Sequence, residues 1–138
     1  MGLATIEEIS VRIQTLRDRL PELELVVLFG STVKGRRRAS SDVDVAVRCA
    51  GPADFDLLHG LLAPVLGADR LDLVDLHHAR PLLAMEVARS GHLLYESRPG
   101  MFRQFQSLAS RRYCDTAKLR RALRRAIHVF LARHDLSL

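Results

Sequence analysis

The stretch from residue 25 to residue 47, LVVLFGSTVKGRRRASSDVDVAV, constrains the fold more than any other part of the chain. Its first apolar run, residues 25–29, has the length and β-branched content of a buried strand, and Gly30-Ser31 predicts a tight turn into a short helix. Backbone N–H groups left unpaired at such a turn, beside a hydroxyl, form a site for a phosphate anion. We therefore predict that Gly30 and Ser31 hold phosphate groups.

Two carboxylates follow, because Asp42 and Asp44 alternate with the apolar Val43, Val45 and Val47. Alternate residues of a strand point to the same face, so both carboxylates should converge on one spot. Neighbouring carboxylates raise each other's pKa unless a cation lies between them. Mg²⁺ takes oxygen ligands from one or two carboxylates and fills its other positions with water and substrate phosphates. We predict Mg²⁺ here; a surface hairpin is the alternative, but the flanking valines argue against a solvated acidic loop.

A phosphate-holding turn followed closely by a metal-holding carboxylate pair is what nucleotidyl transfer requires. The order Gly-Ser, spacer, Asp-x-Asp between apolar residues resembles the signature of the DNA polymerase beta nucleotidyltransferase superfamily. More narrowly, the chain is similar to the minimal nucleotidyltransferases, short single-domain proteins often paired with HEPN-family toxins. The resemblance covers residues 5–96 and is strongest over residues 28–47.

This resemblance implies an activity: transfer of a nucleoside monophosphate from a triphosphate, ATP in the first place, to a hydroxyl group. It implies that Asp42 and Asp44 hold two Mg²⁺ ions and that Gly30 and Ser31 hold the β- and γ-phosphates. In the HEPN-paired branch the implied acceptor is a tyrosine of the toxin, whose ribonuclease activity then stops. The implied biological role is that of an antitoxin.

A third carboxylate is expected, since two-metal phosphoryl chemistry uses one to share a metal and take the proton of the attacking hydroxyl. The resemblance implies that it comes from a neighbouring strand between apolar residues. The run of residues 70–76, RLDLVDL, offers Asp72 and Asp75, which face opposite ways on a strand. We favour Asp72 as catalytic residue and metal ligand; the other carboxylate would then cap the following turn.

The basic segment between the two halves of the motif carries Lys34 and residues 36–38, all arginine. It is either a solvated loop or a source of one or two side chains that neutralise triphosphate charge. We count Lys34 and Ser41 as candidate nucleotide-binding residues, although Ser40 or Ser41 could simply cap the loop. The resembled proteins often have Gly-Ser-Arg-x-Arg-Gly where this chain has GSTVKG, and lysine cannot grip phosphate in bidentate fashion.

Periodicity predicts an α/β fold with a small mixed sheet flanked by helices, which the resemblance narrows to the nucleotidyltransferase fold. The predicted strands are residues 23–29, 42–48, 70–76 and 92–95, and the predicted helices are residues 6–20, 53–66, 81–90 and 116–133. Thr5 and Glu8 have capping-box spacing, while Gly60 and Pro64 predict a break near the end of the second helix. Residues 1–97 should form the nucleotidyltransferase domain and residues 98–138 a basic helical extension.

Charge separates these two parts. The chain has a net charge of +5; residues 1–100 hold 12 Lys/Arg and 14 Asp/Glu, or −2, and residues 101–138 hold 9 and 2, or +7. A basic tail can indicate nucleic acid, an acidic protein partner or a solvated helix face. Its apolar stripe favours packing on its own domain or on a second copy, and its few aromatic residues argue against nucleic acid. The two cysteines and the absence of a membrane-length apolar stretch predict a cytoplasmic protein without a membrane partner.

Two rival functions stay open. A non-catalytic antitoxin could neutralise its partner by contact through the tail, with vestigial carboxylates. A nucleotidyltransferase could instead act on a small molecule such as an aminoglycoside, but such enzymes normally carry a sizeable second helical domain, and about 40 residues are few for one.

Overall fold

The computed structural model describes residues 5–30 and 42–134. Ser31, Lys34 and Ser41, together with the rest of the basic segment, lie outside the described residues. In chain order the elements are α1 (Ile6–Thr15), β1 (Leu23–Phe29), β2 (Asp42–Cys49), α2 (Phe55–Leu66), β3 (Arg70–Asp75), α3 (Pro81–Ser90), β4 (His92–Glu96) and α4 (Met101–Arg133).

The four strands form one mixed sheet in the order β3-β2-β1-β4. β1 is antiparallel to both of its neighbours, whereas β2 and β3 are parallel and are joined by the α2 crossover. Parallel neighbours need such a crossover, since a tight hairpin can join only antiparallel strands. The predicted α/β fold with a small mixed sheet is confirmed, and the strand bounds differ from the predicted ones by one residue at most.

Helices cover both faces of the sheet, so β1 is apolar on both sides. Val26 and Leu28 pack in a core with α1 and α2, while Leu25 and Val27 pack in a second core with α3 and α4. A strand buried on both faces appears as a continuous apolar run rather than as an alternating pattern. This burial explains the unbroken apolar sequence before Gly30.

α1 begins with the predicted capping box. The Glu8 N–H donates to Thr5 Oγ1 at 3.1 Å, and the Thr5 N–H donates to Glu8 Oε2 at 3.4 Å. The helix ends at Thr15, earlier than predicted, and turns carry the chain on to Leu20, which is nevertheless buried in the core. Apolar residues therefore keep their helical intervals beyond the last residue of α1.

The predicted break in α2 is wrong. The helix continues through Pro64 to Leu66, where Gly67 adopts a left-handed conformation (φ 62°) and donates to the Pro64 carbonyl at 3.3 Å. Proline disrupts a helix because it removes one backbone N–H hydrogen bond and crowds the preceding turn. Both effects are small here, because Pro64 lies in the final turn and the buried leucines of α2 pack the helix on the sheet. Phe55, the first residue of α2, is 39% exposed.

α4 forms the helical extension that the sequence predicts, of which the periodic stretch of residues 116–133 is the distal part. The helix starts at Met101, after the left-handed Gly100, and its 33 residues correspond to a length of about 50 Å. Its first turns bury Met101, Phe105 and Ala109, whereas residues 118–134 are exposed except for the partly buried Leu131. The apolar side chains of this distal part do not pack on the described part of the domain. Among the described residues, no helix is both long enough and apolar enough to cross a membrane.

Candidate active site

Three strand ends meet at one edge of the sheet. β1 finishes at this edge with Phe29 and Gly30, and its antiparallel neighbour β2 begins there, so that Phe29 pairs with Asp44. β3 runs parallel to β2 and therefore also begins at this edge. The topology thus gathers the glycine turn and the predicted carboxylates in one place.

Asp44 and Asp72 are direct partners in the parallel ladder between β2 and β3. Residues paired in register on parallel strands point to the same face, which here is the face covered by α3 and α4. Asp42, two residues before Asp44, points the same way and pairs with Arg70. The three predicted carboxylates therefore lie on one face at one edge of the sheet.

The carboxylates influence one another electrostatically. Burial raises the pKa of the Asp44 carboxyl above its ordinary value of 3.8, and the negative charges of Asp72, Asp42 and Glu86 raise this pKa further. Contact with the Asp72 side chain adds to this rise in the pKa of Asp44. Such crowding without a compensating cation is the electrostatic condition that a divalent ion relieves.

Mg²⁺ fits this donor set. The carboxylates supply oxygen ligands, which hard cations prefer. They would fill only part of the coordination sphere of an ion. In the described part of the chain, no three His, Cys, Asp or Glu side chains converge closely enough to enclose a metal ion. An ion held here would therefore draw most of its ligands from water and substrate phosphates, as Mg²⁺ commonly does.

Gly30 lies directly against the Asp44 carboxylate. Its φ angle of +81° belongs to the left-handed region, and a Cβ atom added to it would lie 2.5 Å from Asp44 Oδ2. Any other residue would meet both backbone strain and a collision with that oxygen. The glycine turn and the carboxylate pair are therefore parts of one structure.

Asp42 occupies the outer rim of this edge. Its Oδ1 lies 3.9 Å from Arg70 Nε, and both side chains are largely exposed, at 53% and 80%. An ion pair this exposed contributes little to stability, because water screens it. The Arg70 side chain can therefore change its rotamer, and its ion pair with Asp42 does not block access to the carboxylates.

Asp75 points to the other face of the sheet, as its position three residues after Asp72 predicts. Its Oδ1 accepts the His77 N–H at 3.0 Å, and its Oδ2 lies 3.7 Å from His78 Nε2. His77 Nε2 in turn lies 2.7 Å from the Cys49 carbonyl oxygen. Asp75 thus caps the turn after β3, which was the alternative role considered for the less favoured carboxylate.

Glu86, on α3, was missed by the sequence reasoning. It is exposed at the surface of the helix that covers Asp44, and its charge is one of those that raise the pKa of Asp44. The available signal was slight: Glu86 is the one acidic residue in the helix Pro81–Ser90. Its proximity to Asp44 arises from the packing of α3 on the sheet, which no local pattern reveals.

A mixed sheet that brings a left-handed glycine and paired aspartates to one edge is characteristic of nucleotidyltransferases. The chain belongs to the polymerase beta nucleotidyltransferase family, whose sequence model matches residues 12–99. The resemblance to the minimal nucleotidyltransferases is confirmed by the relatives described next.

Two relatives are named protein adenylyltransferase MntA. The protein from Aphanizomenon flos-aquae (strain 2012/KM1/D3) is 31% identical over 95% of this chain and 93% of its own length. The protein from Shewanella oneidensis is 39% identical over 60% of this chain and 61% of its own length. The first of these matches spans nearly all of both chains, including α4.

Solved structures extend the similarity to three dimensions. A chain of a toxin–antitoxin crystal structure with AMP-PNP is 31% identical, with a TM-score of 0.69 over 86% of this chain and 98% of the other. A chain of a complex between tri-AMPylated Shewanella oneidensis HEPN toxin and an MNT antitoxin is 29% identical, with a TM-score of 0.59 over 93% and 99%. These matches confirm the predicted nucleotidyltransferase fold.

Proposed function

We propose that this protein is the antitoxin of a toxin–antitoxin pair and transfers AMP from ATP to a tyrosine hydroxyl of a HEPN-family toxin, using Mg²⁺. The observation that carries this proposal is the in-register pairing of Asp44 and Asp72 beside Gly30, which makes a site for divalent ions and nucleotide phosphates. Its support comes from the relatives named protein adenylyltransferase and from the solved complexes with AMP-PNP and with a tri-AMPylated HEPN toxin.

The proposed reaction divides the roles among few residues. The tyrosine oxygen attacks the α-phosphorus of ATP, a new phosphorus–oxygen bond forms, and the bond to the leaving pyrophosphate breaks. Asp72 accepts the tyrosine proton. Asp42 and Asp44 would hold two Mg²⁺ ions, with Asp72 as a further ligand, and bound Mg²⁺ would supply charge neutralisation for the phosphates. The N–H groups of Gly30 and Ser31 would orient the β- and γ-phosphates, and Lys34 and Ser41 are the further candidates for nucleotide binding.

The position of Asp72 suits proton transfer. It is an exposed side chain at the rim of the site, whereas its ladder partner Asp44 is half-buried. An incoming hydroxyl from another protein can therefore reach Asp72 from solvent. A general base must come within hydrogen-bonding distance of the proton that it removes.

The experiment uses the purified chain, ATP labelled on the α-phosphate, and a HEPN-family toxin as acceptor. We expect label on the HEPN-family protein with the wild type, and none with Asp42→Asn/Asp44→Asn. Asp72→Asn should lower the transfer rate by 10²-fold or more, on the order of what loss of a general base costs. Isothermal titration should show Mg²⁺-ATP binding by the wild type.

Asp75→Ala is the matched control, since it removes a carboxylate from the same strand on the opposite face. It should transfer label at close to the wild-type rate, with stability lower by about 1 kcal/mol through the lost turn contact. A wild type that binds neither Mg²⁺-ATP nor labels a partner would favour the non-catalytic antitoxin. Label transferred to a small molecule alone would favour the third function considered above.

A further inference from the structure

We propose that the distal part of α4 is the docking surface for the acceptor protein, and that it binds an apolar surface bordered by acidic residues. We define the distal stripe as Leu119, Leu123, Ile127 and Phe130. The identity of the acceptor rests on the function proposed above, and the surface itself rests on the observations that follow.

The distal stripe is apolar and exposed. The four side chains are 70%, 60%, 47% and 55% exposed, in chain order, and they recur at intervals of four, four and three residues on one helical face. Single exposed apolar side chains are common on protein surfaces, but a contiguous row of large ones marks an interaction surface.

The distal stripe also continues a face that is already used for packing. Met101, Phe105 and Ala109 are buried against the domain. Eighteen residues later the chain has Leu119, Leu123 and Ile127. Because a helix turns once every 3.6 residues, a separation of 18 residues is five complete turns and returns to the same side. The interface of α4 with its own domain therefore extends beyond the domain as a largely exposed apolar surface, on which the described residues place one ring contact, between Phe130 and His134 of the same helix.

The course of α4 takes this surface to the active-site edge. Gln106 Nε2 donates to the Ala88 carbonyl at 3.0 Å, so α4 reaches the C-terminal end of α3 within its first two turns. α3 leads directly into β4, whose first residue, His92, pairs with Leu28 close to Gly30. α4 and the Asp44 and Asp72 side chains also share one face of the sheet. A protein bound to the distal stripe would therefore lie on the side of the sheet that carries the carboxylates.

Charge favours an acidic occupant over a second copy. Residues 116–134 contain six Lys or Arg and no Asp or Glu. A helix turns by 100° per residue, which places Arg120, Arg124 and Arg133 beside the distal stripe. In the part of the chain that the structure describes, these three side chains form no ion pair with a carboxylate. Two copies packed along this face would bring these six positive charges to the borders of one seam, which opposes association. Acidic residues on either side of an apolar seam would instead pair with them.

The test measures docking and catalysis separately, with Leu123→Glu as the docking variant and Leu82→Glu as its matched control. Leu82 lies on α3, and its side chain is 70% exposed, against 60% for Leu123. The probe is the same HEPN-family toxin in its unmodified form. We expect Leu123→Glu to weaken binding at least tenfold and to raise the KM for this acceptor similarly, with kcat and the affinity for Mg²⁺-ATP unchanged. Leu82→Glu should leave all four quantities at the wild-type value.

The remaining outcomes each overturn one proposal. Equal acceptor binding by the wild type and Leu123→Glu overturns the docking surface, as does the lack of any binding by the wild type. If the free wild-type chain sediments as a dimer and the Leu123→Glu variant as a monomer, a second copy of the chain occupies the distal stripe. If the wild type binds vesicles containing phosphatidylserine and Leu123→Glu does not, a membrane surface occupies it. Either result also overturns the docking surface for the acceptor. Acceptor binding that Leu123→Glu abolishes, without AMP transfer by the wild type, supports the surface and overturns the proposed function.

Discussion

Two independent features require glycine at position 30: the positive φ angle of the backbone and the neighbouring Asp44 carboxylate. Gly30→Ala should therefore lower the free energy of unfolding by at least about 1–2 kcal/mol from the left-handed backbone alone. A Cβ at 2.5 Å from Asp44 Oδ2 would also displace that carboxylate, so Mg²⁺-ATP binding should fall with stability. Chemical denaturation and isothermal titration measure the two effects.

Gly60 supplies the matched control. It lies inside α2, and a Cβ added there would meet nothing within 4 Å. Gly60→Ala should stabilise the protein by about 0.5–1 kcal/mol, because glycine costs helix stability. Equal behaviour of the two alanine variants would contradict the role given to Gly30.

Asp44 gives a pH-dependent prediction. A pKa raised in the folded state means that the folded protein binds the proton more readily than the unfolded chain, so ionised Asp44 destabilises the fold at neutral pH. This penalty disappears as the pH falls through the raised pKa toward the ordinary value of 3.8. In EDTA, Asp44→Asn should therefore be more stable than the wild type at pH 7, and the difference should vanish below about pH 4.

Urea denaturation at a series of pH values measures this difference. Asp69→Asn, in the exposed loop before β3, is the control and should show no such trend. Mg²⁺ should raise the unfolding midpoint of the wild type and leave that of Asp44→Asn nearly unchanged. A wild type that is more stable than Asp44→Asn at pH 7 without metal would refute the assigned repulsion.

At the residue scale, strand alternation was enough to separate Asp72 from Asp75, because a period of two assigns opposite faces whatever the rest of the fold does. The function assigned to Asp72 remains a prediction, as does the nucleotide role of Ser31, Lys34 and Ser41. Glu86 could not be found in this way, since its approach to Asp44 depends on how α3 packs across the sheet.

Among the elements, α4 combines a packed start with an exposed continuation. A chain ending after Lys118 should unfold with a free energy within about 1 kcal/mol of the full chain, because exposed positions contribute little to stability. Phe105→Ala, which empties a buried position of the same helix, should cost about 3–5 kcal/mol. Thermal and urea denaturation of the shortened chain and of the variant measure both.

A loss of several kcal/mol on shortening would show that the distal part of α4 packs on the domain. The sequence predicted the helical character of the extension correctly. Its apolar stripe was regular only over residues 116–133, because residues 101–115 combine buried apolar side chains with polar ones. For α2 the sequence reasoning predicted a break that the helix does not have. Pro64 was given its usual effect as a helix breaker, but its place in the last turn makes that effect small.

At the scale of the whole molecule, charge is divided between a slightly acidic domain and a basic tail of +7. Association with an acidic partner should be accelerated by this asymmetry and slowed by salt, since the Debye length falls from about 10 Å at 0.1 M to about 3 Å at 1 M. We expect the association rate with the HEPN-family protein to fall by on the order of tenfold across this range. Stopped-flow fluorescence at several salt concentrations measures the rate.

Arg120→Gln/Arg124→Gln should flatten this salt dependence, while Arg12→Gln on α1 should leave it intact. An association rate that is insensitive to salt would contradict the acidic character assigned to the partner. The asymmetry itself was visible in the sequence. The position of the basic tail relative to the carboxylates was not visible in the sequence, because this position depends on how α4 packs past the end of α3.

The register between β2 and β3 links the chemistry of this protein to its folding. Moving β3 by one residue would turn Asp72 toward α2 and place Leu71 or Leu73 beside Asp44. A single inserted residue in the turn before Arg70 could therefore leave a folded but inert chain, whereas a two-residue shift would keep the orientation and misplace the carboxylate by about 7 Å. Length changes in that short turn should consequently be far less tolerated by the proposed AMP transfer than by expression of the chain.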